Sequence, residues 1–217
     1  MNRIVDLSHR IEHGMITYPG LPGPVVGTHR ERMESAPGVS FHIGRMELVA
    51  NTGTYVDAPF HFHADRADIA ALPLERLVDV PAVRVDAYDV PAIGPEVLGD
   101  PERLWGKAVL VHTGWSRHWG TERYGSGGPH LTAAAARFLV DANVAVLGVD
   151  ALNVDDIADP TRPVHNTLLG NDIPIVEHLT NLAALPDDGF RLTALPAPVH
   201  GMGSFPIRAV AVLPATS

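Results

Sequence analysis

Proline and glycine interrupt this chain along its whole length, and they limit how long any helix or strand can be. The sequence has 19 prolines and 20 glycines spread through its 217 residues instead of concentrated in a linker. Because both residues punctuate regular structure, we expect short elements joined by many turns. The apolar runs between them predict strands at 3–7, 45–50, 82–87, 108–112, 145–149 and 207–213.

One segment has a clear helix signal. Thr132 can cap the run 133–140, which starts with four alanines and ends near Asn143, ahead of the predicted strand at 145–149. The segment 174–179 is compatible with either a short helical turn or the end of a strand. Strands outnumber helices, so we predict one α/β domain over residues 1–217, with a mixed, strand-rich sheet flanked by a few helices.

Charge and cysteine content narrow the classes of function. Sixteen Lys and Arg against 25 Asp and Glu give a formal net charge of -9, and the lack of a basic run argues against nucleic acid as a partner. The sequence has no cysteine, so His, Asp and Glu must carry any metal or acid-base chemistry. No secretory signal or long apolar segment is evident, which predicts a cytoplasmic protein without membrane association.

The spacing of Asp57 and His61 is the first indication of a functional site. Pro59 lies between them and disfavours a regular helix, so we expect an irregular turn after a bend at Gly53. Both side chains can then face one cavity, where a carboxylate and an imidazole bind a metal or move a proton. In isolation, such a pair more often belongs to a structural turn whose Asp caps backbone amides.

The residues around this pair carry a resemblance to a known family. The stretch 51–61, Asn-Thr-Gly-Thr-Tyr-Val-Asp-Ala-Pro-Phe-His, resembles the H-x-G-T-H-x-D-x-P-x-H signature of the cyclase family. That family of metal-dependent hydrolases includes bacterial kynurenine formamidases and isatin hydrolases. Further segments resemble the family in the same order, at 6–9, 18–20, 68–77, 113–115, 165–169, 175–179 and 204–209.

The resemblance implies a metal site that is altered in this chain. In metal-bearing members, the first two His of the signature and its Asp hold one metal, and that Asp holds a second with a late His and a late Glu. Here Asn51 and Tyr55 replace the two His, and a neutral amide and phenol are weak ligands, so the first metal position is predicted to be empty. The second set is present as Asp57, His165 and Glu177.

The resemblance also implies an activity. It makes His61 the proton-transfer residue and Tyr18 an aromatic side chain of the substrate pocket, which Asn51 and Tyr55 also line. The implied reaction is hydrolysis of a C-N amide bond in an arylformamide or small cyclic amide, as in tryptophan catabolism, with at most one divalent metal, zinc or manganese. The alternative is a metal-independent cyclase, dehydratase or lactone-acting enzyme in which Tyr55 and Asn51 donate hydrogen bonds to a substrate oxygen. A homodimer or homotetramer acting on a small molecule is expected.

Other residues are assigned supporting roles. His13 is a reserve catalytic candidate on a loop. Asp150, at the end of a predicted strand, is expected to contact the metal ligands without binding the metal itself. Asp155 is expected to satisfy turn amides. Trp115 and Trp119 are assigned to a subunit interface or a pocket wall.

Overall fold

The computed structural model describes residues 2–215, except for the side chains of residues 33–35. Twelve strands and four α-helices are present within the described residues, joined by turns and short 3-10 segments. The strands are β1 (Arg3–Asp6), β2 (Val25–Ala36), β3 (Val39–Glu47), β4 (Tyr55–Asp57), β5 (Val80–Asp86), β6 (Ala92–Ile93), β7 (Ala108–His112), β8 (His130–Leu131), β9 (Val146–Val149), β10 (Ile175–Glu177), β11 (Phe190–Pro196) and β12 (Ser204–Leu213). The helices are α1 (Pro95–Leu98), α2 (Pro101–Leu104), α3 (Ala133–Asp141) and α4 (Pro163–Gly170).

Eight of the strands form one mixed sheet that closes into a barrel. Their order is β1-β12-β11-β5-β7-β9-β10-β4, and β4 also pairs with β12, which closes the sheet. The strands β5, β7, β9 and β10 are parallel, and helical crossovers connect them, as parallel pairing requires. The short strand β4 therefore lies between β10 and β12, antiparallel to both.

The central barrel strand β7 is buried on both faces. In β7, Ala108 and Leu110 belong to a cluster drawn from strands around the barrel, whereas Val109 and Val111 belong to a cluster shared with the helices. Burial on both faces explains why β7 reads as a continuous apolar run, without the alternation of a half-exposed strand. The predicted α/β fold with a mixed, strand-rich sheet is confirmed.

Helix α3 follows the sequence prediction closely. The Thr132 hydroxyl accepts a hydrogen bond from the Ala135 backbone N-H at 3.1 Å, which caps the first turn. Ala135, Ala136 and Leu139 form the buried face of the helix. The strand that follows at Val146–Val149 is also confirmed.

Two local predictions are wrong. The strand expected at 45–50 is instead Val39–Glu47, because these residues pair with β2 in a long hairpin. Asp57 ends the regular strand β4 instead of lying on an irregular turn, because β4 pairs on both edges. The ambiguous segment at 174–179 contains the strand Ile175–Glu177.

The β2–β3 hairpin is a separate two-stranded sheet outside the barrel. Every residue of β3 is exposed, including Phe41 and Ile43. Elsewhere in the fold, no helix among residues 2–215 is long and apolar enough to cross a membrane.

Candidate active site

Strand β4 is short, but its pairing determines where four polar side chains meet. Across β10, Tyr55 lies directly opposite Glu177, and across β12, Asp57 lies directly opposite Ser204. Residues directly opposite each other in a ladder project from the same face of the sheet. The pairing therefore gathers a phenol, two carboxylates and a hydroxyl, all buried, on one face.

Helix α4 adds a histidine to this group. Its first turn is capped by Asp155, which accepts hydrogen bonds from the backbone N-H groups of Val164 at 2.7 Å and His165 at 3.1 Å. The same carboxylate lies 2.6 Å from Nδ1 of the His165 ring. The proton on Nδ1 is donated to Asp155, which orients the opposite ring nitrogen, Nε2, toward Asp57 and Glu177, the arrangement usual for metal-binding histidines.

Asp57, His165 and Glu177 form a compact donor cluster. Nε2 of His165 lies 3.7 Å from Asp57 Oδ2 and 3.7 Å from Glu177 Oε1, distances too long for hydrogen bonds. One ligand atom from each residue lies within 4.8 Å of the others. Asp57 Oδ2 is buried and has no hydrogen-bond partner among the described residues, a costly state that a cation would relieve. The donors therefore fit one divalent metal ion.

Burial and the charges in the cluster shift the pKa values of His165 and Glu177. Burial lowers the pKa of His165, but the hydrogen bond to Asp155 and the charges of Asp57 and Glu177 outweigh this effect and raise the pKa to about 10. Burial raises the pKa of Glu177 above its usual range. In metal-stripped protein, His165 therefore carries a proton that a metal ion must displace.

Hydrogen bonds from the protein already satisfy two carboxylate oxygens of the cluster. The Tyr55 hydroxyl donates to Glu177 Oε2 at 2.5 Å. The Ser204 hydroxyl donates to Asp57 Oδ1 and accepts from Asn51 Nδ2 at 3.3 Å. Burial, and then the charges of Glu177 and Asp57, raise the pKa of Tyr55 well above its ordinary value, so the phenol remains a neutral donor.

The cluster borders a cavity of about 480 Å³. His61 lines this cavity, with Nε2 3.9 Å from Asp57 Oδ1 and about a third of its side chain exposed. Phe62 stacks on the His165 ring at a centroid distance of 5.0 Å. Tyr18 and Arg162 are also part of the wall.

The position of His61 depends on a close approach between two backbone segments. The Ala58 N-H donates to the Gly203 carbonyl at 2.7 Å, just before β12 begins. A Cβ atom at Gly203 would lie 2.7 Å from the His61 Cα, closer than real Cβ atoms approach. Glycine is therefore required beside the proposed proton-transfer residue.

Comparison with known proteins establishes the family. The model of the Cyclase family matches residues 5–156, more than half of the chain. The chain belongs to the Cyclase family. A kynurenine formamidase from Bacillus cereus is 29% identical over 206 residues, which cover 95% of each chain.

Solved structures share the fold of this chain. Isatin hydrolase A from Labrenzia aggregata, bound to benzyl benzoate, superposes on this cyclase-family chain with a TM-score of 0.84 at 24% identity, covering 98% of this chain and 94% of that one. A potential metal-dependent hydrolase with cyclase activity gives a TM-score of 0.80 at 24% identity, covering 100% of both chains. This member of the Cyclase family is an enzyme with hydrolytic relatives.

The cavity of this cyclase-family enzyme gathers the residues that the sequence singled out. All seven line the cavity or touch the donor cluster at its base: Tyr18, Asn51, Tyr55, Asp57, His61, His165 and Glu177. The structure adds Asp155 and Ser204, which bond directly to His165 and Asp57.

Two of the supporting roles need correction, and a third is extended. Asp150 is buried, but its carboxylate accepts hydrogen bonds from Thr113 and Gly114, not from a metal ligand. Asp155 satisfies backbone amides as expected, those of Val164 and His165, and it also bonds to the His165 ring. His13 does not line the main cavity; its Nδ1 accepts a hydrogen bond from the Val26 N-H.

The two tryptophans also lie away from the main cavity. Trp119 stacks on the His9 ring at 3.9 Å, and it borders a neighbouring apolar cavity. The Trp115 indole N-H donates to the Tyr124 carbonyl at 3.2 Å. Neither tryptophan forms the wall beside the donor cluster.

Proposed function

We propose that this enzyme hydrolyses the C-N bond of an arylformamide or small cyclic amide, with one divalent metal, zinc or manganese, held by Asp57, His165 and Glu177. The observation that carries the proposal is the buried Asp57 Oδ2, which has no hydrogen-bond partner in the described part of the chain and lies 3.7 Å from His165 Nε2. The full-length similarity to a kynurenine formamidase supports the same reaction class.

Each residue of the site has a distinct task in this proposal. A divalent ion at these ligands supplies Lewis acidity and lowers the pKa of water. Asp155 orients the His165 ring through its Nδ1 proton. Amide hydrolysis transfers a proton to the departing nitrogen, and we assign this transfer to His61 because its ring lines the cavity 3.9 Å from Asp57.

The metal-independent alternative is less compatible with the hydrogen bonds of the site. It requires Tyr55 and Asn51 to donate to a substrate oxygen. The phenol has one proton, and that proton is donated to Glu177. Asn51 donates to Ser204. The phenol is thus used to hold a carboxylate, and one of the two amide N-H groups of Asn51 is used to hold Ser204, which favours the metal-dependent reaction.

Metal content and formamide hydrolysis, measured on the same preparation, test the proposal. Protein purified without chelator should contain about one equivalent of zinc or manganese and release formate from formanilide. Removal of the metal should abolish turnover, and its return should restore turnover. Full activity with less than about a tenth of an equivalent of metal would overturn the mechanism.

Substitution of His61 tests the proton-transfer role separately. His61→Gln should lower kcat by about 10² to 10⁴ while the metal content stays the same. The matched control is His63→Gln, because the His63 ring contacts the Asn166 carbonyl and lies outside the cavity wall. Equal loss in both variants would count against a specific role for His61.

A further inference from the structure

Arg162 places a permanent positive charge in the wall of the cavity. In the part of the chain that the structure describes, the other titratable side chains of this wall are Tyr18, Tyr55, His61, His165 and Glu177, so Arg162 is its single Lys or Arg there. Hydrogen bonds from Thr161, and then the charge of Arg162, lower the pKa of the Asp159 carboxyl. Among the described residues, the Arg162 guanidinium has no ion pair and bonds to backbone carbonyls alone, those of Asp156 at 3.1 Å and Ile157 at 3.5 Å.

The backbone at Arg162 is unusual for an arginine. With φ 45° and ψ 57°, the residue is left-handed and immediately precedes helix α4. This conformation favours glycine or asparagine, and other residues adopt it at a cost of about 1 kcal/mol. The half-buried Arg162 side chain lines the cavity, and its hydrogen bond to the Asp156 carbonyl fixes the guanidinium there.

Asn153 adds a second donor on the same side of the cavity. Its Oδ1 accepts the Asp155 N-H at 2.9 Å, which leaves its amide N-H₂ group without a partner among the described residues. Phe62 and Tyr18 supply aromatic surface elsewhere in the wall. The cavity thus combines a metal-type donor cluster, aromatic faces and a cationic group with spare hydrogen-bond donors.

We propose that Arg162 binds a carboxylate on the substrate, so the preferred substrates are anionic arylformamides or cyclic amides and not neutral ones. This inference rests on the proposed function for the identity of the reacting group. A guanidinium matches a carboxylate in geometry and forms charge-assisted hydrogen bonds with it. Arg162 is thereby a specificity-determining residue.

A substrate series tests the proposal through activity. The probes are formanilide and its 2-, 3- and 4-carboxylate derivatives, the formamidobenzoates. The native enzyme should prefer at least one isomer over formanilide in kcat/KM. Arg162→Gln should lower the ratio of kcat/KM for that isomer to kcat/KM for formanilide about tenfold, mainly through KM. Arg162→Lys should retain part of this preference. The control is Arg123→Gln, because Arg123 lies over the Trp115 ring outside this cavity.

A binding measurement separates this proposal from the proposed reaction. Calorimetry compares acetanilide with the corresponding acetamidobenzoates on the metal-containing protein. Arg162→Gln should weaken the binding of the favoured acetamidobenzoate about tenfold relative to the binding of acetanilide. If no formamide is hydrolysed but this loss is seen, the reaction is wrong and the carboxylate site stands. An unchanged ratio in Arg162→Gln, or no preference for carboxylates in the native enzyme, overturns the role of Arg162.

Discussion

Tyr55 lies directly opposite Glu177 across the β4–β10 ladder, and its hydroxyl donates a 2.5 Å hydrogen bond to Glu177 Oε2. Tyr55 stands where the family signature has its second histidine. A neutral phenol thus satisfies one carboxylate oxygen beside the proposed metal. On the other edge of β4, Ser204 does the same for Asp57. Hydrogen bonds from neutral groups thus satisfy one oxygen of each carboxylate.

Restoring imidazole donors should therefore change the metal stoichiometry. We expect Asn51→His/Tyr55→His/Ser204→Gly to bind about two equivalents of metal where the native enzyme binds about one. Elemental analysis of the purified variants measures this directly. The control, Asn51→Ala/Tyr55→Phe/Ser204→Gly, removes the same hydrogen bonds without adding imidazole and should stay at about one. The same metal content in both triple variants would contradict the interpretation.

Asp155 should control metal affinity through His165. Asp155→Asn weakens the hydrogen bond that orients the ring, so we expect metal affinity to fall about 10- to 100-fold. Competition with a chelating dye gives the dissociation constants. The neighbouring Asp156→Asn is a matched control, because Asp156 accepts from the Ala158 N-H on the exposed side of the loop. Equal affinities for the two variants would show that Asp155 only caps helix α4.

The proposed metal ligands and Ser204 illustrate what the sequence could and could not predict. The ligands Asp57, His165 and Glu177 were accessible because each lies in a segment that resembles the family. Helix α4 also has a local signal, proline at its start and glycine at its end. In contrast, Ser204 meets Asp57 through a pairing 147 residues apart in sequence. The register of a closing barrel strand depends on the whole sheet, so no local pattern indicates that contact.

Metal binding should release a proton from His165. Its pKa is raised from 6.5 to about 10, so in metal-stripped protein Nε2 is protonated below that pH and must lose its proton to become a ligand. At pH 8 to 9 we expect about one proton released per metal, and progressively less as the pH rises through 10. Calorimetric titration with Mn²⁺ in two buffers of different ionisation enthalpy measures the number. Identical heats in the two buffers would contradict the raised pKa.

The β2–β3 hairpin should form a contact between two copies of the chain. An isolated two-stranded hairpin is at most marginally stable in water, and this one leaves apolar side chains exposed on both strands. They are Val25, Val26, Val39, Phe41, Ile43 and Met46. Phe41 and Ile43 are two residues apart on β3 and therefore share one face, where a second copy can cover them.

The mass of the particle in solution decides whether the hairpin has this role. Light scattering after size exclusion should give a dimer or tetramer for the native enzyme. Phe41→Glu/Ile43→Glu should give a monomer, because two charges buried without partners oppose association. Leu74→Glu, at an exposed apolar residue outside the hairpin, should leave the mass unchanged. A native monomer, or a double variant with the native mass, would exclude the hairpin as the contact between copies.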